Sequence, residues 1–414
     1  MHSSRNFAPH GDQSSSAAFI AALVLTVIGG SMFNVMPLLT AGAANTLGFS
    51  DRQVGVMSLV ISLGSGASAL LAIMWVRTVR WPRAAVVALG GMIVTNLLAM
   101  LVHRYWVFVL LLGAAGFFAA AVICLAVTIL SDRQESERGF GMANALQVVY
   151  QICGFLAGPT LLRVAGLNGV LAVLVALSGL AMLLVPLLPA HGRMGVSEKP
   201  TKDLLKPATL LALLGFAIFF VNAGGYWTYI EIMGEASGMT PRLAANCVAG
   251  GVSAGIVGGI AAWALGNRFG VMWPLISSAL LTIGAALLLK GSFGVVAFIL
   301  SVVLYFLAWN YVVAYQLSIV NAVDATGRAM ALTQACAFLG AAAGAGLAAF
   351  FVTPGHYESV IWVTLIAVCA STVLFALSLG IHRYAHERHD PSPEGAEVTI
   401  QTAPGQAGAQ PLVK

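Results

Sequence analysis

Apolar residues run through this chain in stretches of about twenty or more, broken by short polar segments, which is the pattern of helices that cross a bilayer. The runs and breaks predict twelve helices, at 17–39, 53–76, 84–102, 106–130, 139–163, 167–189, 208–232, 242–265, 272–290, 294–321, 328–352 and 358–381. The longest interior break, His191 to Pro207, carries Arg193, Lys199, Lys202 and Lys206 with Glu198 and Asp203. Such a charged run cannot lie in hydrocarbon, so it is expected to be a solvated loop. It divides the chain into an N-terminal tail (1–16), a six-helix bundle (17–190), the central loop (191–207), a second six-helix bundle (208–382) and a tail (383–414) expected to be disordered. The first apolar run is too long for a signal-peptide core and is expected to remain as a span.

The two blocks repeat one another. Phe49 to Gly55 aligns with Met239 to Ala245, which pairs Ser50 with Thr240 as expected helix caps and Arg52 with Arg242. Arg80-Trp81-Pro82 aligns with Met272-Trp273-Pro274, and Glu137 to Leu146 with Gly327 to Cys336. The three offsets are nearly equal. A duplicated six-helix unit in parallel orientation follows, an architecture used by alternating-access carriers.

Composition agrees: the chain is 59% hydrophobic and 8% charged. The fold class expected is therefore an all-α polytopic membrane protein made of two pseudo-symmetric six-helix bundles. With both termini and the central loop on one side, that side receives 15 of the 20 Lys and Arg residues. The basic excess places both termini in the cytoplasm, in a bacterial-type cytoplasmic (inner) membrane. The net charge of +5 is dispersed and gives no basis for nucleic-acid binding. The five cysteines all lie in apolar runs without metal-ligand or redox spacing and are expected to pack as free thiols.

Twelve helices as six plus six, with short basic loops after the second and eighth, resemble the major facilitator superfamily over about residues 17–382. Leu265 to Gly270 is similar to that family's G-x-x-x-D-R-x-G loop, with Asn267 at the acidic position and Arg268 and Gly270 matching. The resemblance implies a cytoplasmic latch there. The first-half equivalent, Arg77 to Arg80, departs from the pattern, with arginine where the acid is expected. Gly154, Gly158 and Pro159 are similar to a Gly-Pro element of the family's efflux antiporters, which implies export, while small residues at this spacing also serve close helix packing and a bend. The fourth helix lacks the buried arginine of many proton-coupled drug carriers.

Polar side chains inside spans are costly unless they face other helices or a wet cavity. Their phases nominate substrate-binding residues: Asn34 in the first helix, the stripe Asn144, Gln147 and Gln151 in the fifth, Asn222, Tyr226 and Tyr229 in the seventh, Trp309, Asn310 and Gln316 in the tenth, and Gln334 in the eleventh. Helix-to-helix bonding is the alternative role for each amide. Glu231 is the only carboxylate placed for immersion, and a charged carboxylate is costly there, so it is the candidate for carrying a proton. Gly224-Gly225 offers a bend or a packing contact in the seventh helix.

These residues suit a small, largely neutral or amphiphilic organic molecule, aromatic or cationic, with polyols ranked lower. The reading is a secondary transporter working by alternating access, with proton-coupled export favoured over import, symport or facilitated passage. A non-transporting sensor is the further alternative. No catalytic constellation, cofactor site or metal site is visible, so an enzyme is not expected. The partners expected are a small-molecule substrate, the lipid bilayer and protons, and the chain is expected to act as a monomer.

Overall fold

The structure is a computed structural model that describes residues 16–102, 104–132, 136–192, 206–266, 268–291, 293–324, 328–353 and 355–389. Most of the two tails and of the central loop, together with Asn267, lies outside the described residues. Twelve α-helices follow in order: α1 (Ser16–Asn34), α2 (Met36–Leu47), α3 (Asp51–Trp75), α4 (Trp81–Leu101), α5 (Tyr105–Ser131), α6 (Ser136–Met182), α7 (Pro207–Ala236), α8 (Pro241–Leu265), α9 (Met272–Leu287), α10 (Val295–Val323), α11 (Arg328–Phe351) and α12 (Glu358–His389). A 3-10 turn, Val185–Leu187, follows α6.

The first span departs from its expected course. The first span, expected as one helix over 17–39, is broken at Val35 into α1 and α2 and runs on to Leu47. Pro37 supplies the reason: it has no N–H to give the carbonyl four residues back, so the ladder fails at Phe33. The fifth and sixth spans, expected as separate helices, are two helices that meet directly at Gly166, where φ 60 and ψ −163 interrupt the helix; together they carry the label α6. Only glycine accepts that backbone readily. Pro159 lies within α6, but the turn is at Gly166. At the far end α12 continues to His389, beyond the expected limit at 381. Among the described residues 10 helices are long and apolar enough to cross a membrane; one of them, Gly139–Leu187, is 49 residues long and holds two spans, and α9 at 16 residues is shorter.

The repeat is visible in local chemistry. Ser50 caps α3, accepting from the Gln53 N–H while the Gln53 side chain accepts from the Ser50 N–H. Thr240 caps α8 in the same way, accepting from the Leu243 N–H. These helices are 25 residues each.

Because lipid is as apolar as leucine, small residues that allow backbones to approach hold such bundles together. A methyl group added to Gly224 of α7 would meet the Ala341 carbonyl of α11, and one added to Gly340 or Gly344 of α11 would meet the Ala217 or Val221 carbonyl of α7. Gly29 lies equally close to the backbone of Ile123, joining α1 to α5. Large apolar side chains such as Val164, Trp263 and Val296 point outward instead. The α1–α6 and α7–α12 halves meet along α3 with α11, α6 with α8, and α2 with α7, whereas α5 and α10 share no extended contact among the described residues.

Candidate functional site

The first-span break lies at the centre of the interface between the halves. Asn34, buried at the end of α1, spends both ends of its amide on α6: its Nδ2 donates to Gln147 Oε1 at 3.1 Å, and its Oδ1 accepts from Gln151 Nε2 at 2.9 Å. Gly30 leaves the room for this, since a Cβ there would lie 2.8 Å from Gln147 Oε1. Gln147 and Gln151 are half-buried, while Asn144, the third member of the expected stripe, is exposed and stands apart from this amide chain.

Aromatic rings from both halves pack at the first-span break. Phe33, beside Asn34, packs edge-on against Phe338 of α11 with centroids 5.9 Å apart. Trp227 of α7 packs edge-on against Phe155 of α6 and Phe306 of α10, at 5.6 and 5.3 Å. The Trp227 indole N–H donates to the Phe33 carbonyl at 2.8 Å, taking the acceptor that Pro37 leaves without its helical donor. Trp309 lies half-buried against Phe219 and Phe220 at 4.9 and 5.0 Å.

A second polar group joins α7 to α10. Tyr226 and Tyr305 stack with centroids 3.8 Å apart; the Tyr226 hydroxyl pairs with Ser301 at 2.9 Å, and the Tyr305 hydroxyl donates to Asn222 Oδ1 at 3.1 Å. These groups are buried and mutually satisfied. Asn310 donates to the carbonyl of Phe306 in its own helix, Gln316 is buried with Oε1 lacking a hydrogen-bond partner among the described residues, and Gln334 is half-buried.

Tyr229 turns elsewhere. It lies at the end of the molecule away from the termini, where hydrogen bonds between the halves gather. Its hydroxyl donates to the Asp51 carbonyl at 2.8 Å, passing over Gly55, where a Cβ would collide with it. Tyr357, in the turn before α12, donates to Asp51 Oδ2 at 3.1 Å. Burial and the neighbouring Asp51 carboxylate hold the Tyr357 phenol above its ordinary value. Thr40 donates to the Thr228 carbonyl at 2.9 Å, and Asn45 Nδ2 donates to Glu235 Oε2 at 2.9 Å. One turn before Glu235, Glu231 is only 1% exposed, and neither of its carboxylate oxygens has a hydrogen-bond partner among the described residues.

At the terminus end, Arg77 pairs with Asp132 at 3.1 Å, joining the α3–α4 loop to the end of α5. In the second half, Gly266 and Gly270 take left-handed backbone at φ 48 and 65, the Tyr315 hydroxyl donates to the Gly266 carbonyl at 2.7 Å, and Arg268 is exposed. Gly154 and Gly158 face Val35 and Leu38, where a Cβ would crowd those side chains, so this pair seats the broken first span against α6.

Sequence reasoning did not single out Phe33, Phe155, Phe306, Phe338, Gly30, Asn45, Asp51 or Tyr357 for the site. Aromatic residues in an apolar run carry no polar signal. Pro37 four residues after Phe33 was the one legible sign of a freed carbonyl.

Two six-helix halves that meet over amides and aromatic rings have the architecture of a membrane carrier. The profile of the Major Facilitator Superfamily matches residues 21–332, and the chain belongs to that superfamily. Among solved structures it is similar to a point-mutant form of the nucleoside transporter NupG, with 16% identity, a TM-score of 0.66, and coverage of 88% of this chain and 99% of that one. It is also similar to a bacterial homologue of the human lysosomal transporter Spinster, solved inward-facing and unoccupied, with 13% identity, a TM-score of 0.66, and coverage of 89% and 96%. Among curated proteins no match was found.

Proposed function

We propose that this transporter moves a small, planar, neutral or amphiphilic organic molecule by alternating access, with export coupled to protons. The observation that carries the substrate class is the chain Gln147–Asn34–Gln151 among Phe33, Phe338 and Trp227. Rings provide faces for stacking, and the half-buried glutamines provide donors and acceptors along one edge. A nucleobase-like heterocycle meets both requirements, and the nucleoside transporter among the structural neighbours lends that class support.

The basic excess on the terminus side favours cytoplasmic termini. With that orientation, the end sealed by Tyr229, Tyr357 and Asn45 is external. Glu231 is the group proposed to bind and release the coupling proton, because a carboxylate enclosed without partners is costly when charged. Export is favoured through the Gly154, Gly158 and Pro159 element. The latch assigned to Asn267, Arg268 and Gly270 closes the terminus end in the opposite state.

The test is accumulation of a panel of heteroaromatic and cationic aromatic compounds in a transporter-depleted bacterium expressing the chain. Lower accumulation of a panel member identifies an exporter and a substrate, and loss of the effect in Glu231→Gln supports proton coupling. Higher accumulation makes the protein an importer. Counterflow separates either from a sensor.

A further inference from the structure

Glu231 is sealed in the closed end, and a proton that it exchanges needs a route to water. Glu235 lies four residues on along α7, so the two carboxyl groups share a helix face one turn apart. Their environments differ. Glu231 is fully enclosed, whereas Glu235 is half-buried at the rim. Glu235 divides its oxygens: Oε2 accepts from Asn45 across the interface at 2.9 Å, while Oε1 is enclosed and has no hydrogen-bond partner among the described residues.

The charged and titratable groups on the elements packed against α7 at this end are Asp51 and Arg52 of α3, Arg242 and Cys247 of α8, Tyr305 of α10, and His356, Tyr357 and Glu358 around the start of α12. Asp51 is engaged by Tyr357, Arg52 lies over the Phe350 ring at 5.9 Å, and Tyr305 bonds Asn222. None of them forms an ion pair with either glutamate among the described residues. No group of three or more His, Cys, Asp or Glu side chains forms a metal cage there, again among the described residues.

We propose that Glu235 is the port through which Glu231 exchanges its proton with water at the closed end, with Asn45 as the positioning residue supplied by the other half. This rests on the coupling role assigned to Glu231. A proton arriving from water adds to Glu235 and forms its carboxylic acid. It then passes, directly or through one water, to the Glu231 carboxylate, which leaves Glu235 charged again and Glu231 neutral. The single amide donor from Asn45 anchors one Glu235 oxygen and leaves the other for transfer, so the port is assembled only when the halves meet.

The experiment uses the full chain in liposomes and follows the infrared carbonyl stretch of protonated carboxyl groups after a pH jump, with the proton itself as probe. Glu231→Gln should remove a band. Glu235→Gln should keep that band and slow its response by roughly a hundredfold, the low end of what a positioned proton-transfer group contributes. Glu235→Asp should restore most of the rate, which a packing role would not predict. An unslowed response in Glu235→Gln overturns the port, as does loss of the band on adding sodium at fixed pH. The two readings fail separately: if Glu231→Gln keeps proton-driven flux while Glu235→Gln slows the band, the port stands and the coupling role falls.

Discussion

Replacing Tyr229 and Tyr357 by phenylalanine removes the two hydroxyls that the C-terminal half lends to Asp51 and leaves ring volume unchanged. The Tyr229 bond is a neutral one of 2.8 Å to a backbone carbonyl, a net contribution of about 1 kcal/mol. The Tyr357 bond, 3.1 Å to a carboxylate, is charge-assisted but half-exposed, which brings it to about 1 kcal/mol as well. Both bonds exist only while this end is closed. Losing them together should shift the closed-to-open equilibrium by roughly thirtyfold, and losing either alone by about fivefold. An open state held by about 1% of molecules would then rise to roughly a quarter. Spin labels at Leu47→Cys and Ala236→Cys, in a background without the native cysteines, flank the Asn45–Glu235 contact and report the separation. Tyr105→Phe is the control, because its hydroxyl donates to the Gln53 carbonyl within the same half at 2.9 Å. An unchanged distance distribution in the double variant would refute the reasoning that these bonds hold the end shut.

Alkaline pH should act on the same contact. The Tyr357 phenol is held above its ordinary 10.0, so its stabilisation is full below about pH 10 and fades as pH rises further; the wild type should open under these conditions, and Tyr357→Phe should respond less because only the Tyr229 phenol is left to lose its donor. Gln147→Ala with Gln151→Ala should weaken binding of any substrate found in the accumulation panel by about tenfold while size-exclusion behaviour is retained, and unchanged affinity would assign the amides to packing alone. Gly344→Val should push α11 from the Val221 carbonyl and cost roughly 1–3 kcal/mol, read as a lower melting temperature in detergent. Trp227→Phe should leave the Phe33 carbonyl unpaired and favour opening, and adding Pro37→Ala, which returns a helical donor to that carbonyl, should reverse the effect in the spin-label measurement.

Much of this architecture was legible because it rests on strong constraints. Hydrocarbon demands long apolar helices, and the duplicated Ser50 and Thr240 caps marked the repeat. Faces were harder to read. A helix that meets lipid on one side and another helix on the other is apolar all round, so periodicity does not say which residues look inward. Polar phase nominated Asn34, Gln147 and Gln151, which the structure brings together, as well as Asn144, which is exposed, and Tyr229, whose partner Asp51 comes from a distant helix start and could not be read from spacing. Helix ends fared similarly. The boundary expected between 163 and 167 does fall at Gly166, but the sequence does not say that the two helices of α6 meet there directly.

The break at Val35 alters who must satisfy whom. An uninterrupted first span would be self-sufficient in hydrogen bonds and indifferent to its neighbour. With Pro37 in place, the Phe33 carbonyl is in debt to the other half of the protein, and the Trp227 indole settles it only while the halves touch. An unmet buried acceptor costs about 1–3 kcal/mol, so each excursion to the opened state carries that penalty until water or a ligand donor arrives. A substrate bearing an N–H would be rewarded at this spot in the opened state and ignored in the closed one. The proline thus gives the two conformations different appetites for the same molecule.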